Sequence, residues 1–211
     1  MRRLRAPKRP SARRAAGLTL IELMVVVAIA VIILGLAAPS FSEYIVTQRL
    51  RSIHAQLATD LQFARSEAVA RSAFVGVRFQ EVTGTGAMTC YIIFTRPDPT
   101  TSSDTCDCTA SAGSRCNTTP PVTTTELRTV TIPAELKVSV RTPTGQNNTI
   151  TFDSRSAGMK IAASDFSTPS ALTFQIDSTA QNNRSLRAIV LAAGRTQLCT
   201  PAGSTMGGRV C

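Results

Sequence analysis

Gly17-Leu18-Thr19-Leu20-Ile21-Glu22-Leu23-Met24-Val25-Val26-Val27-Ala28, GLTLIELMVVVA, sets a carboxylate inside an apolar run. From Leu18 to Ala38 the chain has twenty-one residues, and Glu22 is the only one that carries a charge. At about 1.5 Å per residue, a helix of that length spans about 30 Å, the hydrocarbon thickness of a bilayer. A carboxylate in mid-bilayer costs on the order of 3 kcal/mol, less near the interface, so one retained there usually has a partner.

Before this run lies a basic head. Residues 1–17 hold seven bases (Arg2, Arg3, Arg5, Lys8, Arg9, Arg13, Arg14) and no acid. The formal charge of the 211-residue chain is +10, and without the head it falls to +3. The basicity therefore reads first as a targeting signature that keeps the N-terminus on the cytoplasmic side, and only second as nucleic-acid binding. Two fates are open to the apolar run. A secretory signal would be cut near Ala37 or Ala38 and discarded, which leaves Glu22 without purpose. A retained helix would keep the carboxylate and need a partner for it.

After the run, Val46, Leu50, Ile53, Leu57, Leu61, Ala64 and Ala68 recur at steps of three and four, one apolar face of an α-helix. Arg49, Arg51, Asp60, Arg65, Glu67 and Arg71 fall on other faces, and His54 is placed on the helix surface beside the seam. One helix from Leu18 to Arg71 is predicted, with Gly35 and Pro39 as weak points. The period then changes. Strands are predicted over Ala73–Phe79, Thr89–Thr95, Leu127–Ile132, Leu136–Thr142, Thr149–Asp153, Ala171–Asp177 and Leu186–Ala192. This is an α+β fold, a long N-terminal helix packed on an antiparallel sheet domain of about seven strands.

Six cysteines (Cys90, Cys106, Cys108, Cys116, Cys199, Cys211) all follow the apolar run. On the far side of a membrane they read as disulfides, with the pairing open. Residues 96–126, crowded with Thr, Ser, Pro and Asp, read as a surface loop held by such bonds. Zinc bound by the Cys106-Asp107-Cys108 pair and Cys116 is the alternative, although the only histidine is far off in sequence. No metal site or cofactor is assigned. Nothing points to catalysis. His54 is the only base for a triad, and Gly203–Gly208 lacks the lysine and the helix of a phosphate loop.

Gly17 followed by Leu18-Thr19-Leu20-Ile21-Glu22 resembles the processing site of type IV pilins and pseudopilins. The segment Ala64-Arg65-Ser66-Glu67-Ala68-Val69-Ala70-Arg71 is similar to the helix end of the GspH/FimT-type pseudopilins. Ile150–Arg155, Arg187–Leu191 and Gly194-Arg195 look like later parts of the same family. The resemblance implies a leader of residues 1–17, cut after Gly17 by a prepilin peptidase that also methylates Leu18. It implies an inner-membrane helix over 18–38, its amphipathic continuation over 39–72, and a periplasmic domain over 73–211. Glu22 would pair with the amine of a neighbouring subunit as other pilins assemble around it in a helical filament. The implied role is a minor pilin of a type IV pilus, with a minor pseudopilin of type II secretion as the alternative. Some pilus members bind DNA. After Asp177 this chain has Arg184, Arg187, Arg195, Arg209 and no acid, which suits phosphate contacts. The DNA-binding members carry a glycine-arginine-x-arginine motif, and here Gln197 stands in the second arginine's place. The stretch after Phe174 has no aromatic residue for base stacking.

Overall fold

The computed structural model describes residues 19–96, 106–116, 124–160 and 173–211. Gly17 and Leu18 lie outside the described residues, as do 97–105 and 117–123 of the expected loop. The chain divides into two units, Met1–Ser42 and Glu43–Cys211.

Helix α1 covers Leu20–Ala70 and is one helix through Gly35 and Pro39. In the first unit its side chains from Leu20 at 77 % to Leu34 at 68 % are exposed and, Glu22 apart, apolar. Among the described residues no helix is long and apolar enough to cross a membrane.

In the second unit α1 buries the stripe read from the sequence. Leu50, Leu57, Leu61, Ala64 and Ala68 are inaccessible, and Val46 nearly so. The helix stops at a Schellman motif. Ala73 N–H donates to Ala68 O at 3.2 Å and Ser72 N–H to Val69 O at 3.2 Å, with Ser72 left-handed at φ 51°. The chain then turns directly into the first strand.

Nine strands follow among the described residues: β1 Phe74–Val82, β2 Met88–Arg96, β3 Glu126–Pro133, β4 Val138–Arg141, β5 Thr149–Phe152, β6 Met159–Lys160, β7 Thr173–Ala180, β8 Arg184–Leu191 and β9 Thr196–Cys199. They form two antiparallel sheets, ordered β3-β2-β1-β5-β6 and β4-β7-β8-β9. The fold class is the expected α+β one, with its strands divided between two sheets. Every expected strand is present, and β6 and β9 are additional. The expected strand from Leu136 starts only at Val138. Ala134–Leu136 form a 3-10 turn, and Lys137 in the left-handed region redirects the chain. The β7–β8 hairpin turns through Asn182 and Asn183, both at positive φ, as a tight hairpin turn demands.

The core lies between α1 and the two sheets. Leu57, Leu61 and Ala64 meet Val77, Tyr91, Ile93, Phe152, Phe174 and Val190. β7 and β8 alternate, with Phe174, Ile176, Ala188 and Val190 inward. β2 is buried along Cys90–Phe94 on both faces. Tyr91 and Ile93 face α1, while Cys90, Ile92 and Phe94 lie under Cys106, Cys108 and Cys116.

Candidate functional site

The start of α1 is built locally. Thr19 precedes the helix, and its Oγ1 accepts the N–H of Glu22 at 3.3 Å. The Thr-x-x-Glu spacing is that of a capping box, and a carboxylate in the first turn suits the positive end of the helix dipole. Glu22 is exposed in this single chain.

Two polar side chains of α1 are not where the sequence placed them. His54, expected on the helix surface, is only 4 % exposed, and its Nδ1 lies 3.0 Å from Ser178 Oγ on β7. Its Nε2 is buried without a hydrogen-bond partner. Burial pushes the His54 pKa down to about 4, against the opposing pull of the Asp177 charge. This is a neutral imidazole wedged between helix and sheet. Ser178 is fully buried, so the pair offers no nucleophile to a substrate. Asp60 is likewise only 1 % exposed. Tyr91 Oη donates to Asp60 Oδ2 at 2.7 Å, and Arg128 Nη1 stands 3.0 Å from Oδ1. Burial and the hydrogen bond to Asp60 hold the Tyr91 phenol well above its ordinary pKa. Both polar links tie α1 to the sheets, and neither partner is visible from the helix pattern.

The signature at the end of α1 has a partly structural use. Glu67 and Arg71 form an exposed i,i+4 pair at 2.5 Å. Arg65, expected to be solvated, instead donates from Nε to Ala157 O at 2.9 Å. That places it where the β5–β6 turn meets the β8–β9 turn. A Cβ on Gly194 would lie 2.2 Å from Ala157 O and 3.0 Å from Arg65 Nε, and Gly194 sits at φ +74°. Only glycine fits that crossing.

The cysteines are joined Cys90–Cys108, Cys106–Cys116 and Cys199–Cys211. The first ties residues 106–116 onto β2, and the second closes that segment on itself. Asp107 Oδ1 accepts from Thr109 N–H at 2.9 Å and from Gln80 Nε2 at 3.1 Å. These bonds, led by the backbone one, hold the Asp107 pKa below its ordinary value. The segment 106–116 covers the outer face of the first sheet. Among the described residues no group of side chains is arranged to hold a metal ion.

The four arginines proposed for DNA divide into two pairs. Arg187 makes a bidentate pair with Asp177, Nε–Oδ1 2.6 Å and Nη2–Oδ2 2.8 Å. Arg184 Nη2 meets Glu43 Oε2 at 2.8 Å. Arg195 and Arg209 are exposed on separate turns. The tail itself is folded onto the domain. Thr205 N–H donates to Asn183 O at 3.0 Å, and Met206 packs with Leu50 and Val138.

An apolar helix that begins at a processing-type motif, continues as an amphipathic helix and docks on a disulfide-held β domain defines the pilin-like class. Residues 55–194 match the family described as type II transport protein GspH, and residues 12–38 match the prokaryotic N-terminal methylation motif. The first match covers more than half of the chain, and the protein belongs to the GspH family. No curated protein matches it. Two crystal structures of the Pseudomonas aeruginosa (strain PAO1) type IV minor pilin FimU are similar. One shows 15 % identity and a TM-score of 0.45, covering 77 % of this chain and 97 % of that one. The other shows 16 % and 0.42, covering 72 % and 97 %.

Proposed function

We propose that this protein is a minor pilin of a type IV pilus, a structural subunit that primes or supports fibre assembly. The observation that carries this reading is the coincidence of two features. The N-terminal methylation motif matches residues 12–38, and within Leu18–Ala38 the only ionisable side chain is Glu22. A prepilin peptidase cuts after Gly17 and methylates Leu18. The helix then anchors the chain once in the bacterial inner membrane, with the β domain in the periplasm. On entry into the fibre, Glu22 pairs with the amine of a neighbouring pilin, which removes the cost of a lone carboxylate in an apolar medium. Mass spectrometry of the mature protein tests this. A chain beginning at methylated Leu18 is expected, and one beginning near Pro39 refutes the reading.

The second reading is a minor pseudopilin of type II secretion, which the name of the matching family favours. Deletion separates the two: loss of twitching and DNA uptake fits a pilus, and loss of enzyme export fits the secretion system. DNA contact is a narrower possibility within the pilus reading and rests on Arg195 and Arg209. A gel shift of the full chain at low salt, abolished by Arg195→Ala with Arg209→Ala, supports it. No shift at low salt, where phosphate contacts are strongest, removes it.

A further inference from the structure

One end of the unit Glu43–Cys211 gathers four parts of the chain. Leu50 of α1, Val138 of β4 and Met206 of the C-terminal segment form a small buried core of their own. The β7–β8 turn is tied to the same end. Asn182 Nδ2 donates to Glu43 Oε1 at 3.1 Å, Arg184 Nη2 to Glu43 Oε2 at 2.8 Å, and Thr205 N–H to Asn183 O at 3.0 Å. A base stands close in sequence to each member of that core. Arg49 and Arg51 flank Leu50, Lys137 precedes Val138, and Arg209 follows Met206. All four are exposed and have no ion pair among the described residues. Arg184 is offset by Glu43, and the one unpaired acid at this end is Glu135 in the 3-10 turn. Four bases against one acid leave an excess of three positive charges. The entire chain from Leu18 onward has an excess of three, so the charge is segregated to this end and the remainder is balanced.

This is also the end nearest in sequence to the apolar stretch. Eight residues, 35–42, separate Leu34 from Glu43. Tyr44, just beyond them, is 59 % exposed, and exposed tyrosine is typical of the boundary between bilayer and water. We propose that this end of the domain docks on the anionic phospholipid headgroups of the membrane that holds α1. The Arg and Lys side chains meet lipid phosphates, and Tyr44 lies at the boundary. Each Lys or Arg near an anionic surface favours it about fivefold, and the attraction acts over about a Debye length. The contact belongs to the subunit in the membrane and is given up when the helix leaves the bilayer for a fibre. The headgroups are within reach only if α1 is anchored, so the inference rests on that reading.

The test uses the full-length chain with a photo-crosslinking amino acid at Gln181, an exposed position beside Asn182. It is reconstituted in vesicles of phosphatidylcholine and phosphatidylglycerol in equal parts. The expected product is a lipid adduct in which phosphatidylglycerol outnumbers phosphatidylcholine about fivefold at low salt. The preference fades at high salt, where the charges are screened. Arg51→Glu with Lys137→Glu brings the ratio to about one, and Arg51→Lys with Lys137→Arg preserves it. Non-reducing peptide maps showing all three disulfides establish that the variants fold. A vesicle-bound chain that gives no lipid adduct, takes both lipids equally, or keeps its preference after charge reversal overturns the docking surface alone. A chain that an alkaline wash strips from the vesicles overturns the anchored reading and the surface together.

Discussion

His54 is the only histidine of the chain, and its burial makes the fold sensitive to acid. With the pKa lowered from 6.5 to about 4, the folded state favours the neutral ring. The stability this contributes is fully present above pH 6.5 and is lost as the pH falls toward about 4. At about 1.4 kcal/mol per pH unit the loss is on the order of 3 kcal/mol. Denaturant titrations of the full chain in detergent between these limits should show the slope, and His54→Gln should flatten it. The Asp60 link is also testable. Tyr91→Phe removes one of two groups holding a buried carboxylate and should cost about 1–3 kcal/mol. These two residues also mark where sequence reading stops. Periodicity sorts residues by type, and a histidine or an aspartate beside an apolar seam is assigned to water by default. The partners Ser178 and Tyr91 lie 124 and 31 residues away, so nothing near either position in sequence signals its burial.

At the level of elements, the apolar stripe of α1 and the seven expected strands are legible, because the stripe keeps its period and each strand carries a run of β-forming residues. β9, Thr196–Cys199, is not: it holds one aliphatic residue, Leu198, which stays 47 % exposed. The two residues of β6 are too few to form a pattern. Nor does composition reveal that residues 106–116 cover a sheet. The clue is the unbroken apolar run Cys90–Phe94, which needs cover on both faces. Removing the inner staple with Cys106→Ser and Cys116→Ser should cost about 2–4 kcal/mol and expose Ile92 and Phe94 to a hydrophobic dye. The crossing of the two turns makes a sharper prediction. Gly194→Ala combines a left-handed backbone with a 2.2 Å approach to Ala157 O, and should lower stability by about 2 kcal/mol or more in thermal unfolding.

For the whole molecule, the feature that places the protein in its class was plain from the start: a single carboxylate in an apolar stretch after a glycine. What the β domain adds was hidden, because the division of its strands between two sheets is a property of packing rather than of order along the chain. Glu22→Ala should leave the unit Glu43–Cys211 folded and its disulfides formed, while recovery of the subunit in sheared fibres falls sharply. Normal recovery would show that the carboxylate is not used in assembly. The crossed bridges Cys90–Cys108 and Cys106–Cys116 bear on biosynthesis. If the chain threads through a translocation channel amino end first, Cys106 is the next thiol to emerge after Cys90, ahead of the proper mate. An oxidase linking thiols in order of arrival makes Cys90–Cys106 and Cys108–Cys116, and an external thiolate must then open one of these bonds so that exchange re-pairs the four sulfurs as Cys90–Cys108 and Cys106–Cys116 and releases that thiolate again. Production of this subunit should therefore depend on a thiol–disulfide isomerase, and cells lacking one should accumulate the scrambled chain.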